Sequence, residues 1–177
     1  MTTTDDHYGR LEAAPDGNDW QLVFTRRFDH PREKVWRALT EPADVSAWFP
    51  ADIVGDRAEG ASLRFVFRHG EGPEIPGELR IFDPVDVLEF SWGEEVMRFE
   101  LQAVDGGART ELRFVNTFVD IGKAARDAAG WHTCLDILLA HLDGTEPPQD
   151  GWREVHPGYV ERFPTEAATI GPPGGHS

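Results

Sequence analysis

Between Asp52 and Phe118 apolar residues return at every second position in run after run, and from Gly122 the spacing changes to that of a helix. Period two puts alternate side chains on opposite faces of a strand, whereas period 3.6 gathers them on one stripe of a helix. Ser62–Arg68 sends Leu63, Phe65 and Phe67 one way and Arg64, Val66 and Arg68 the other. Two hairpins follow. Asp83-Pro84-Val85-Asp86 joins Glu78–Phe82 to Val87–Trp92, and Asp105–Ala108 joins Val96–Val104 to Arg109–Phe118. Pairing Phe82 with Val87 sets Arg80 against Glu89 and Leu79 against Phe90; pairing Val104 with Arg109 sets Glu100 against Arg113, Leu101 against Leu112 and Phe99 against Phe114. Charge then meets charge on one face and apolar meets apolar on the other. Such a sheet has one face to bury, and Gly122–Leu142 supplies the cover: Ala124, Ala128, Trp131, Leu135, Leu138 and Leu142 share one helical stripe.

Upstream, residues 1–19 are polar, without a clear period, and read as a flexible lead. Trp20–Phe28 alternates and forms a first strand, with Arg26 interrupting its apolar face either as a strand-end charge near solvent or as a polar group inside a pocket. Pro31 suits the first turn of a helix over Arg32–Leu39, capped by Asp29 or His30, and Glu41-Pro42 stops it. A second short helix over Ala43–Ala47 delivers Trp48 and Phe49 before Pro50. The fold class is α+β: a curved antiparallel sheet of about six or seven strands wrapped around a long C-terminal helix, with two short helices after the first strand. The domain proper covers residues 20–142. Residues 143–177 form an extension, helical over Gly151–Phe163 and disordered over Thr165–Ser177.

The 177 residues suit one domain, and six Trp with eleven Phe supply a large core. Seventeen Lys and Arg against 32 Asp and Glu leave a net charge of −15, which repels phosphate backbones and anionic headgroups, so neither nucleic acid nor a membrane is an expected partner. No apolar run reaches membrane length, the start MTTTDDHYGR lacks the basic-then-apolar layout of a secretion signal, and the single Cys134 fits a reducing compartment. The expected location is the cytoplasm. Cys134 itself reads as a small buried apolar residue.

The segment FTRRFDHPREKVWRALTEPADVSAWFP (Phe24–Pro50) resembles the opening of the START-like, or SRPBCC, superfamily. The likeness is in particular to bacterial homologues of the C-terminal domain of the heat-shock protein 90 ATPase activator, in which a pattern like R-x-F-x-A-P-x-x-x-V-W-x-A-L-T-x-P-x-x-x-x-x-W precedes the sheet. Gly130-Trp131 with Leu135 and Leu138 resembles their closing helix, and the resemblance runs over Trp20–Leu142. It implies a helix-grip fold with a cavity between the concave face of the sheet and the long helix. The sheet would line it with Phe65, Phe67, Leu79, Ile81, Phe90, Trp92, Met97, Phe99, Leu101, Phe114 and Asn116. The helix would add Trp131, Leu135 and Leu138, with Trp48 and Phe49 at the mouth. The same side chains could instead fill a solid core, since each aromatic buries about 150–250 Å².

No nucleophile-base pair stands out, so no catalytic residue is assigned. The seven histidines are not at a zinc spacing such as H-E-x-x-H, and no glycine loop for phosphates is present; neither metal nor cofactor is expected. Arg26, Asn116 and His132 are the candidate polar contacts. Asn116 lies on the apolar side of its strand, where an unpaired amide costs about 1–3 kcal/mol, so it needs a partner: backbone, water or ligand. Three readings follow: a non-catalytic binder of a small hydrophobic or amphipathic ligand, a cyclase-, aromatase- or hydrolase-like enzyme using the same cavity, and a protein-partner module related to chaperone activators. Against the last, the activator's separate N-terminal domain is not expected in the 19 residues before the first strand. An edge strand or the charged outer sheet face could also pair two copies in a homodimer.

Overall fold

One antiparallel sheet of eight strands carries the fold, in the order β1-β2-β8-β7-β6-β5-β4-β3. The strands are β1 (Arg10–Ala13), β2 (Trp20–Phe28), β3 (Asp52–Val54), β4 (Ser62–Val66), β5 (Ile75–Asp83), β6 (Val87–Trp92), β7 (Glu95–Val104) and β8 (Arg109–Phe118). The helices are α1 (Arg32–Thr40), α2 (Pro42–Trp48), α3 (Ala124–Asp143) and α4 (Gly151–Arg162). The computed structural model describes residues 7–68, 70, 72–149 and 151–170; the extremes of the polar lead and of the expected disordered tail, with His69 and His176, lie outside the described residues.

Register explains which side chains reach the interior. Leu22, Asn116, Met97, Phe90 and Leu79 form one cross-strand row on the inner face, and Phe24, Phe114, Phe99, Leu88 and Phe82 form the next. The outer face carries ion pairs, among them Arg98 with Glu89 at 3.1 Å and Arg27 with Glu111 at 3.0 Å. The hairpin at residues 105–108 adopts the expected register, with Glu100 opposite Arg113 and Phe99 opposite Phe114.

The other hairpin does so only in part. Leu79 faces Phe90, but the pairing shifts by one residue between Leu79 and Ile81, so Ile81 lies opposite Glu89 and Phe82 opposite Leu88. An inserted residue inverts every side chain beyond it. Ile81 therefore shares the outer face with Glu89 and is not a cavity residue. Arg80 loses Glu89, which pairs with Arg98 instead.

Two stretches assigned to a mobile lead and a disordered tail are structured. Arg10–Ala13 pairs with Trp20–Val23 and becomes the eighth strand, and Thr165–Ala168 is a 3₁₀ turn with Ala167 fully buried. The lead is fastened because the Tyr159 hydroxyl of α4 accepts from the Gly9 amide at 2.8 Å, while Arg162 stacks 3.9 Å over the Tyr8 ring. Neither contact has a periodic sequence signature.

At the start of α1, Pro31 is itself the N-cap, with no side-chain cap. Asp29 instead pairs with Arg109 at 2.9 Å and His30 with Asp143 at 2.6 Å. Helix α3 begins beyond Asp120, whose carboxylate accepts from the Gly122 amide, and stops at Gly144 in the left-handed region (φ 70°). No helix among the described residues is long and apolar enough to cross a membrane.

Candidate functional site

The space between the sheet and α3 is filled. Phe49, Phe65, Phe90, Met97, Phe99, Phe114, Leu135 and Leu138 are all at most 2% exposed. Phe99 stacks on Phe114 with centroids 4.6 Å apart, and Trp131 meets Phe114 edge-on at 5.3 Å. Trp48 and Phe49 do not stand at a mouth. Phe49 is inserted among Phe65, Phe90, Trp92 and Trp131, with centroids 5.5–6.3 Å away, and the Trp48 indole donates inward to the Ala38 carbonyl at 2.7 Å. The helix that delivers this pair thereby closes the middle of the grip.

An opening lies at one end of the grip, where the β6–β7 hairpin, the start of β5 and the first turns of α3 meet α4. A cleft of about 440 Å³ is walled by Phe67, Trp92, Trp131 and Trp152, with Pro50, Ile75, Gly130 and Cys134 completing its apolar lining. Its polar lining is Glu95, Lys123, Arg126 and Asp127, and an adjoining recess shares Ile75, Trp92, Glu95 and Lys123. Trp152 reaches the cleft because its indole N–H donates to the Arg126 carbonyl at 3.2 Å.

The polar groups are wired together. Asn116, fully buried, donates through Nδ2 to Glu95 Oε1 at 3.0 Å, and its Oδ1 has no hydrogen-bond partner among the described residues. The other Glu95 oxygen accepts from the Lys123 ammonium, which also lies 3.4 Å from Asp127. Asp127 in turn accepts from Arg126 Nε at 2.9 Å. Burial opposes the Lys123 charge, but the hydrogen bond and charge of Glu95, with Asp127, outweigh it and hold the ammonium above the ordinary lysine pKa. Lys123 thus keeps its positive charge between the two carboxylates. Burial pushes the Cys134 thiol up to about 12, which leaves it without thiolate character.

Arg26 and His132 come together, but elsewhere. Arg26, 3% exposed, donates to Asp136 at 2.7 Å and to the His7 carbonyl at 3.0 Å. His132 Nδ1 lies 2.9 Å from the Tyr159 hydroxyl, and its Nε2 lies 3.4 Å from Asp136. This cluster ties α3, α4 and the lead. It is four residues along the paired strands from Asn116, about 13 Å at 3.3 Å per residue. The three candidate polar contacts therefore do not converge.

Of the residues picked from sequence, Phe67, Trp92 and Trp131 line the cleft, and Asn116 reaches it through Glu95. Glu95, Lys123, Arg126, Asp127 and Trp152 were missed. One signal was available: positions 123, 127, 130 and 134 follow helical spacing, one step round from the buried stripe. Among the described residues no group of three or more His, Cys, Asp or Glu could hold a metal ion.

The sheet closed by a long helix, with two short helices behind its second strand, defines a START-like helix-grip protein. The model of the family described as "Activator of Hsp90 ATPase homolog 1-like protein" matches residues 29–143, and the chain belongs to that family. Among solved structures, CalU16 from Micromonospora echinospora is 22% identical, covering 92% of this chain and 96% of its own, with a TM-score of 0.70. EF2215 from Enterococcus faecalis, a conserved protein of unknown function, is 17% identical over 90% and 92% of the two chains, with a TM-score of 0.75. MLL2253 from Mesorhizobium loti is 26% identical over 71% and 98%, with a TM-score of 0.60. No curated protein matches the chain.

Proposed function

We propose that this protein binds a small, flat, largely apolar ligand non-catalytically, in the end cleft and not in the interior of the grip. The observation that carries the reading is a cleft of about 440 Å³, the size of a small-molecule site, with four aromatic walls and its charged groups, Glu95, Lys123, Arg126 and Asp127, paired with one another. Enzyme chemistry in the grip would need Asn116, Arg26 and His132 around one space, and they serve two separate networks. The free Cys134 fits a cytoplasmic setting.

A second reading, a protein-partner module of the kind named in the family description, is favoured by the filled interior alone. Thermal unfolding with lipids and flat aromatic compounds separates the two. A ligand at a hundred times its Kd adds about 2.7 kcal/mol, or roughly 5–11 °C in Tm for a chain of this length. Trp152→Ala is expected to abolish most of that shift. If no compound moves Tm, the binder reading fails; a shift indifferent to Trp152→Ala places the ligand outside the cleft.

A further inference from the structure

The hydrogen-bonding capacity left over at the wall of the cleft leans toward donors; the unpartnered Asn116 Oδ1 lies buried behind Glu95. Both Glu95 oxygens already accept, from Asn116 and Lys123, and both Asp127 oxygens face cations, Oδ1 the Arg126 Nε and Oδ2 the Lys123 ammonium. The donors are not used up. Arg126 has five N–H groups and, among the described residues, spends only Nε on a side chain, while Lys123 has three and meets two carboxylates. The indole N–H groups of Trp92 and Trp131 also have no hydrogen-bond partner among the described residues. A ligand that brings acceptors meets these donors directly, whereas one without acceptors takes the space of their water and leaves them unmet.

Charge narrows the class further. Lys123 and Arg126 are set against Glu95 and Asp127 in the cleft, and the adjoining recess adds Glu94 and Asp120. Two cations among four carboxylates oppose a full anion, in a chain whose net charge is −15. The acceptor is accordingly uncharged.

Resting on the cleft as the ligand site, we propose that its ligand is an uncharged flat aromatic compound whose polar edge carries carbonyl-type acceptors, received by the free guanidinium N–H groups of Arg126 and by Lys123. The ring system lies among Phe67, Trp92, Trp131 and Trp152, and the carbonyl edge points toward the first turns of α3.

Calorimetric titration of the full chain with three matched probes tests this: 2-acetylnaphthalene, 2-ethylnaphthalene and 2-naphthylmethylammonium. The ketone is expected to bind about tenfold or more tightly than the hydrocarbon, the effect of one hydrogen bond to a charged donor. The ammonium is expected to bind more weakly than the ketone. Arg126→Leu, a substitution at a partly exposed position, is expected to remove most of the ketone's advantage over the hydrocarbon measured on the same variant. Equal affinity for ketone and hydrocarbon, tighter binding of the ammonium, or an advantage untouched by Arg126→Leu overturns this inference and leaves the cleft as an apolar site. If no probe binds, the inference falls together with the cleft reading.

Discussion

Removing the carboxylate of Asp136 exposes how much of the fold rests on one buried charge. Arg26 is 3% exposed, and Asp136, a quarter exposed, is its only carboxylate partner among the described residues, at 2.7 Å. Asp136→Leu strands a guanidinium among Tyr159, His132 and apolar side chains. Stranding a buried charge costs about 3–5 kcal/mol, and the partial exposure of Asp136 argues for the lower end, about 3 kcal/mol. At 2–4 °C per kcal/mol for a chain of this size, Tm falls by roughly 6–12 °C. Arg26→Met costs less, because Asp136 keeps His132 and some water. The double variant is expected to be no less stable than Asp136→Leu alone, so the cycle yields a coupling of about 2 kcal/mol, read from urea unfolding by tryptophan fluorescence. Additive losses within about 0.5 kcal/mol would refute the reasoning and transfer the support of Arg26 to the His7 and His132 carbonyls. Acid tests the same pair. Burial pushes the Asp136 carboxyl up, but His132 and Arg26 outweigh it and hold it below its ordinary 3.8. The native state then binds this proton less readily than the unfolded chain, so the contribution is complete above about pH 4 and is lost as pH falls through the lower native value.

Three further outcomes are expected. Gly77→Ala brings a methyl group to 2.2 Å from the Ser91 carbonyl and 2.6 Å from Phe65, so stability drops by about 2 kcal/mol or more in thermal unfolding. Tyr159→Phe leaves the Gly9 amide and His132 without their partner; a loss of about 1–3 kcal/mol is expected, with faster hydrogen exchange at Gly9 by NMR, and unchanged exchange would show that the lead is fastened some other way. The Cys134 thiol, pushed up to about 12, is expected to react with a disulfide reagent at pH 8 far more slowly in the native protein than in urea.

The fold was legible where it depends on period. Pairs such as Leu79 with Phe90 and Phe99 with Phe114 follow from alternation and hairpin register, and the α3 stripe from helical spacing. Legibility stopped at the bulge before Ile81, because an inserted residue leaves a strand's composition unchanged while exchanging its faces. It also stopped at Gly9, Tyr8 and Tyr159, whose contact spans 150 positions and depends on a hydroxyl meeting a backbone amide.

The site was harder to read for a reason of volume. Alternation identifies which aromatic side chains face inward but says nothing about whether their sum fills the space they face. Here Phe49 decides it: delivered between Phe65, Phe90, Trp92 and Trp131, it occupies the centre that a ligand would otherwise take. The remaining aromatic surface appears only where the filling ends, on the far sides of Trp92 and Trp131, and there Trp152 from α4 supplies the opposing wall. Because α4 lies outside the residues matched by the family model, the cleft is built partly from a segment that this family match does not cover. Its shape and its charge therefore follow from Trp152, Arg126 and the packing of α4 on α3, and not from the grip alone.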